Sequence, residues 1–354
     1  MLLTIIPFFL AARFALDENY EERYRWRYGA ESIFDVSVNL SRVDFGEGAN
    51  PTTICSTITG ELECRAKDSE SLGCRLRNDV TVSSRVDDSS GCQQQSGNVV
   101  TTRDRIFDRE PFEIRFNSHG VENLVVRRTI PRWRLDIIKA VVVQLDIGTE
   151  LEKEPSSFVT TEDSSFGRCE LDSKILVTGD RASESEFGSE FGSEFEIVSL
   201  ASNGSRSADL LARYGTIIIE KVRRPEKCPG RVLYFFGYAS NDDRSERGTF
   251  LDMVSSMTRT TISDTGFSSR TLSEGAIVTS DGSTIKRSSQ RVTLTLKSVN
   301  PGRGMPLTIS DPASTNLHVP STFERYFHAA RRIVRVLHQR KPFPRDRRSL
   351  FRFF

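Results

Sequence analysis

The chain has 354 residues, of which 37% are hydrophobic and 27% are charged, and its formal net charge is +1 at pH 7. This length and composition predict an ordinary folded protein with a sizeable core and exclude disordered or fibrous classes. The charge is uneven, because residues 331–354 hold nine Arg or Lys and one acid, which leaves about +8 on the tail and about −7 on the rest. A basic tail on an acidic body indicates a local electrostatic contact and excludes a protein built throughout for nucleic acid.

The first 15 residues form a short apolar segment that ends in small residues. This pattern predicts a signal peptide over residues 1–15, and a buried first strand is the alternative. Six cysteines and two glycosylation sequons, at Asn39 and Asn203, agree with a secreted, disulfide-bonded glycoprotein. No other stretch is long and apolar enough to cross a membrane, so we expect no transmembrane segment.

The segment between Cys55 and Cys92 is polar and rich in cysteine. Cys64 and Cys74 flank a turn-like stretch at 67–71, which favours a hairpin with these two cysteines facing each other. Cys55 and Cys92 then remain as the other local pair. Four cysteines allow three pairings, and the sequence alone leaves all three open.

A hairpin is predicted next, because residues 112–116 alternate apolar and polar side chains before a turn at 117–120 and a second apolar run. The period then changes to that of a helix, which begins near Pro131 and ends before Gly148. Its polar side chains form one narrow stripe that consists of Asp136, Lys139 and Asp146. A helix with so little polar surface is predicted to be covered by protein on most sides. In an otherwise mainly β sequence, the simplest arrangement is one helix inside a curved sheet or a barrel. Of these two, we expect an antiparallel β-barrel wrapped around a central helix.

Short strand-like runs continue beyond the helix, at 175–178, 217–220, 232–238, 276–279 and 291–299. A low-complexity stretch at 183–196 interrupts them, and its Glu, Ser and Gly content predicts an exposed loop, with an acidic docking segment as the alternative. Residues 311–354 are predicted to form a basic C-terminal helix and tail. Within it, Arg348 ends an Arg-x-Arg-Arg sequence of the kind that furin-like proteases cleave, in a segment expected to be exposed.

The motifs of common enzyme and cofactor sites are absent from the sequence: there is no phosphate-binding glycine loop, no nucleophile elbow and no zinc-protease motif. The cysteines form no CxxC pair, and the four histidines have no metal-ligand spacing. We therefore expect a protein that is not an enzyme and has no cofactor or bound metal.

Two stretches carry a resemblance to a known family. PFEIRFNSHGVENLVVRRTIPRWRLDIIKAVVVQLDI, followed by TTEDSSFGRCELDSKILV, closely resembles the vitellogenin N-terminal domain. Farther on, IIIEKVRRPEKCPGRVLYFFGY is similar to the basic strand, the second cysteine and the aromatic-Gly strand of that domain. The resemblance covers about 290 residues, from position 20 to position 310.

The resemblance implies a receptor-binding β-barrel domain over residues 16–310 and a disulfide between Cys169 and Cys228. It also implies a role in receptor recognition, for which the candidate residues are Lys221, Arg223 and Arg224 in the basic strand. The periodic C-terminal segment would be the stub of the helical region that follows in the family.

The preferred function is therefore a secreted module of the lipid-transporter family that docks on an endocytic lipoprotein-type receptor. The basic residues of the candidate strand have a second interpretation, as an ordinary solvated strand face. Two other functions stay open: a yolk-type storage protein that carries lipid in its own right, and an immune protein whose basic tail binds anionic lipid or other anionic surfaces. No nucleic-acid partner is expected.

Overall fold

A computed structural model describes residues 11–12, 30–44, 52–68, 70–77, 81–87, 100–102, 110–117, 120–147, 156–164, 167–178, 197–198, 216–228, 250–263, 266–278, 284–302 and 307–317. The chain divides into two compact units, Met1–His318 and Val319–Phe354. All described residues belong to the first unit.

The described part of the chain is mainly β, as predicted. Its strands are β1 (Ala11–Ala12), β2 (Ala30–Asp44), β3 (Thr52–Asp68), β4 (Ser71–Leu76), β5 (Thr81–Asp87), β6 (Val100–Thr102), β7 (Phe112–Asn117), β8 (Gly120–Arg127), β9 (Ser157–Ser164), β10 (Gly167–Thr178), β11 (Ile197–Val198), β12 (Thr216–Arg223), β13 (Phe250–Ser263), β14 (Phe267–Val278), β15 (Thr284–Pro301) and β16 (Pro312–Thr315). β1 and β11 pair with each other, and the other fourteen strands form one sheet.

The large sheet is antiparallel, with the strand order β16-β8-β7-β4-β3-β2-β15-β14-β13-β12-β10-β9, while β5 pairs with β3 and β6. Among the described strands the sheet is open, with β16 and β9 at its two ends. The predicted closed barrel is therefore wrong. Alternation along a strand fixes which side chains share a face, whereas closure depends on strand number, tilt and stagger, which no local pattern encodes. β16 pairs with β8, so the sheet continues past residue 310, where the sequence analysis placed the end of the domain.

The predicted hairpin is present as β7 and β8. Gly120, the first residue of β8, has a φ of 114°, which lies in the left-handed region that glycine adopts without a steric penalty. Phe112, Ile114 and Phe116 are buried along β7, because alternate side chains of a strand point to the same face. Alternation of the same kind buries the apolar residues of β2 and β15, which are neighbours in the sheet.

The predicted helix is present as α1 (Arg132–Val142), which continues into a 3₁₀ turn (Val143–Leu145). Pro131 precedes it with an extended backbone, where its missing N–H leaves no helical hydrogen bond unmade. The polar stripe does not face solvent, since the side chains of Lys139 and Asp146 are buried. The helix is therefore covered on its polar side as well, and its polar groups require partners inside the protein.

The end of the helical segment touches two distant strands. The backbone N–H of Val121 in β8 donates to Asp146 Oδ1 over 3.2 Å, and Lys221 Nζ in β12 donates to the backbone oxygen of Asp146 over 2.7 Å. These strands are eight positions apart in the sheet, a separation of about 38 Å if the sheet were flat. The sheet is therefore strongly curved, although its two end strands do not pair.

Two disulfides join described residues, Cys64–Cys74 and Cys169–Cys228. These are the pair favoured by the hairpin pattern and the pair implied by the family resemblance. Cys64 and Cys74 are register partners on β3 and β4. Cys55 is also disulfide-bonded, and Cys92, its expected partner, lies outside the described residues.

Replacing both Cys64 and Cys74 by Ala is expected to lower the free energy of unfolding by about 2–3 kcal/mol, because the bond closes a short loop and restricts the unfolded chain. The two residues lie ten positions apart and are fully buried, so alanine adds no buried polar group. Urea denaturation of the otherwise oxidised protein measures the loss. A loss below about 1 kcal/mol would contradict this prediction.

Candidate functional site on strand β12

The basic strand singled out by the sequence is β12, and its alternation decides where each side chain points. Lys221 and Arg223 are only 2% and 3% exposed and share the inner face with buried Ile217 and Ile219. Val222, between the two cations, points outward and is 46% exposed. The prediction that Lys221 and Arg223 are available to a receptor is therefore wrong, because a strand with buried Ile217 and Ile219 also places every second later residue inside.

A single carboxylate pairs with both buried cations. Glu162 in β9 accepts a hydrogen bond from Lys221 Nζ over 2.9 Å at Oε1 and one from Arg223 Nη2 over 3.1 Å at Oε2. Its side chain is also hydrogen-bonded to that of Asp146. Charges buried this deeply are stable only when they are paired and hydrogen-bonded. Glu162 is thus the centre of a cluster that joins β9, β12 and the residue after the 3₁₀ turn.

The two carboxyl groups of this cluster have opposite pKa shifts. Burial raises the pKa of Asp146 to about 8, and the negative charge of Glu162 adds to the shift. Burial also acts to raise the pKa of Glu162, but the charges of Lys221 and Arg223 outweigh it and hold that pKa below its usual value. At neutral pH, Asp146 is therefore protonated and donates to the ionised Glu162.

Hydroxyl groups extend the cluster along the inner face of β13 and β14. Arg223 Nη1 donates to Ser256 Oγ over 3.1 Å and to Thr258 Oγ1 over 3.3 Å. Three cross-strand hydroxyl pairs are hydrogen-bonded over 2.8–3.1 Å: Ser256–Ser273, Thr258–Thr271 and Thr260–Ser269. Gln144 in the 3₁₀ turn donates to Thr271 Oγ1 over 2.9 Å. The inner face of these strands is therefore polar and is bonded to the helical segment.

The geometry of this cluster suits a structural role. Its members are buried, so none of its groups is presented to a molecule in solvent. Sequence reasoning missed Glu162, because an acid in the middle of a polar run looks like a surface residue, and it identified Asp146 only as part of the polar stripe of the helix. The available signal was the helix, whose narrow polar stripe already required buried partners for Asp146.

Arg224, the third predicted receptor residue, lies outside the cluster with its side chain 35% exposed. It forms ion pairs with Glu170 and, over 2.6 Å, with Asp172 in β10. The hydrogen bond from Arg224 lowers the pKa of Asp172. Two carboxylates thus surround one guanidinium, which leaves little positive charge for an acidic partner at this position.

The other predicted sites are placed as follows. Asn39 is half-buried in β2, where its Nδ2 donates to Ser37 Oγ over 3.1 Å and its Oδ1 accepts from Thr57 Oγ1 over 2.9 Å. Asn203 and Arg348 lie outside the described residues, as does the predicted signal peptide apart from positions 11 and 12.

In the described ranges, no group of His, Cys, Asp and Glu is arranged to hold a metal ion, and no helix has the length and apolar character needed to cross a membrane.

Comparisons with known proteins agree with the resemblance seen in the sequence. The family model described as the vitellogenin N-terminal domain matches residues 55–303. A solved structure titled "Lipid-protein interactions in lipovitellin" is similar in fold, with a TM-score of 0.53 and 9% sequence identity. The match covers 84% of this chain and 28% of the lipovitellin chain. Because the family model spans more than half of its length, the chain belongs to the vitellogenin N-terminal domain family.

Proposed function

We propose that this protein is a secreted recognition module of the lipid-transport family, which docks on an endocytic lipoprotein-type receptor and has a binding rather than a catalytic role. The observation that carries the proposal is the hydrogen-bonded polar cluster on the inner face of the sheet, formed by Lys221 and Arg223 of β12 and the hydroxyl pairs of β13 and β14. A cavity for many lipids needs a large apolar lining. The cluster instead presents hydroxyl and charged groups on the inner side of the sheet, and these groups are hydrogen-bonded to one another and to Gln144.

The packing beside α1 supports the same conclusion. The pocket lined by Phe112, Ile130 and Ile138 has a volume of about 10 Å³, roughly the space of one water molecule. Ile137, Ile138 and Val141 of the helix fill the adjoining core. The family membership supports a link to lipid transport, and the disulfides support an oxidising, extracellular location.

We expect the purified protein to bind the soluble ectodomain of an endocytic lipoprotein-type receptor and to contain no stoichiometric phospholipid. Surface plasmon resonance at two salt concentrations measures receptor binding, which should weaken as salt rises because charge pairing drives the encounter. Mass spectrometry of an organic extract measures bound lipid. Abundant phospholipid with no receptor binding would favour the alternative, a lipid carrier in its own right.

A further inference from the structure

The outer face of the sheet presents two adjacent rows of side chains across β9, β10, β12, β13, β14 and β15. The strand register places one charged row in line: Lys174, Glu220, Arg259 and Arg270. It places a second, largely apolar row beside the first: Val159, Asp172, Val222, Met257, Leu272 and Arg291. We call the part of these rows on β12–β15 the outer basic face.

Positive charge dominates this face. Arg259 and Arg270 are direct cross-strand partners, with Cβ atoms about 5 Å apart, and Arg291 is diagonal to Arg270 at about 7–8 Å. Arg259 pairs with Glu220 over 3.8 Å. In the described part of the chain, neither Arg270 nor Arg291 has an ion-pair partner. Like charges on directly opposed residues destabilise a sheet. In the described sheet, the nearby acids on this face are Glu220, which pairs with Arg259, and the exposed Glu274, which is diagonal to Arg291 across β14 and β15.

Exposed apolar side chains lie directly beside the arginines. Val222 is 46% exposed and Met257 is 48% exposed, and they are cross-strand neighbours in one row. Large apolar side chains grouped on a surface mark sites of protein contact more often than scattered ones do. Arginine adds a planar guanidinium that binds carboxylates through two parallel hydrogen bonds.

We propose that the outer basic face is a docking surface for an acidic, partly apolar segment of a protein partner, with Arg259, Arg270 and Arg291 as its anion-binding residues. Charge complementarity favours a peptide segment over an anionic membrane. Glu220 and Asp172 lie in the same two rows and would repel a uniformly negative surface, whereas a peptide places its carboxylates over the arginines alone. That the partner is a receptor rests on the proposed function. The docking surface itself rests only on the strand register and on the exposure of its side chains.

The test compares two charge-reversal variants of the whole protein. The first combines Arg270→Glu with Arg291→Glu, and the control combines Arg128→Glu with Lys227→Glu, which changes the net charge equally at exposed positions outside the two rows. The probe is a fluorescent peptide in which Asp and Glu alternate with Leu, and its binding is followed by fluorescence anisotropy. Thermal melting confirms that both variants are folded.

We expect the Arg270/Arg291 variant to weaken peptide binding by about tenfold or more and the control to leave it within about twofold. Met257→Ser should weaken binding without changing its salt dependence, because it removes apolar contact only. Equal binding by both charge variants would overturn the proposal, as would a wild-type protein that binds phosphatidylserine vesicles but not the peptide. If the peptide binds through the arginines but the receptor ectodomain does not bind, the docking surface stands and the proposed function fails.

Discussion

Glu162→Gln is expected to lower the free energy of unfolding by about 3–5 kcal/mol, because it leaves the charges of Lys221 and Arg223 buried without a counter-charge. The glutamine keeps the volume of the side chain and one acceptor oxygen, so the loss reports charge rather than packing. Glu162, Lys221 and Arg223 are all less than 6% exposed, which leaves little solvent to screen the unpaired cations. Urea denaturation at pH 7 with the disulfides intact measures the change.

Glu220→Gln is the matched control for this experiment. Glu220 lies on the outer side of the same strand as Lys221, with its side chain 32% exposed, and its ion pair with Arg259 is long. We expect that change to cost less than about 1 kcal/mol, as is usual for surface ion pairs. Similar losses for the two variants would refute a special role for Glu162. Replacing Glu162, Lys221 and Arg223 together by apolar residues should recover part of the stability, because no uncompensated charge then remains.

The stability of the protein is expected to fall as pH rises from 5 to 8, and Asp146→Asn should remove this fall. The folded-state pKa of Asp146 is raised from an ordinary value near 3.8 to about 8, so in this range the folded state holds a proton that the unfolded state has released. One such proton gives a slope of up to about 1.4 kcal/mol per pH unit, with the greater stability at low pH. The lowered pKa of Glu162 acts in the opposite sense, but only below its unfolded pKa near 4.5.

The asparagine preserves the local hydrogen bonds. Its oxygen accepts from the N–H of Val121 and its amide donates to Glu162, as the protonated carboxyl does. Lys221 and Arg223 are the cations that face this pair from β12. Asp172→Asn is the control, because the pKa of this exposed carboxyl is lowered and it titrates below the range. Urea midpoints at several pH values decide the outcome, and parallel profiles for wild type and Asp146→Asn would contradict the assignment.

The parts of the fold that local patterns encode were predictable from the sequence. The hairpin of β7 and β8, the helix after Pro131 and the facing of Cys64 and Cys74 each follow from a short stretch of residues. The pairing of Cys169 with Cys228 followed only from the family resemblance, since these residues are 59 positions apart.

The inner or outer position of β12 side chains was not predictable in the same way. Alternation shows that Lys221 and Arg223 share a face, but a rule based on polarity alone would turn that face outward and bury Val222. The structure does the reverse, because Glu162 supplies a counter-charge inside. That partner comes from β9, which is separated from β12 by a further strand, β10. No local pattern contains this contact. The open form of the sheet likewise depends on relations between strands far apart in the chain.

The pairing of β2 with β15 has a consequence for the synthesis of the protein. These neighbours at the centre of the sheet are about 250 residues apart in the chain, and they pair over almost their full length. At about 5–20 residues per second, a ribosome needs roughly 12–50 s to make β15 after β2 has been synthesised. During that time β3, the partner of β2 on one side, has already been made, whereas β15, the partner of its other edge, has not. Newly made chains therefore pass through a stage with an unpaired central strand, when contact between nascent copies is most damaging.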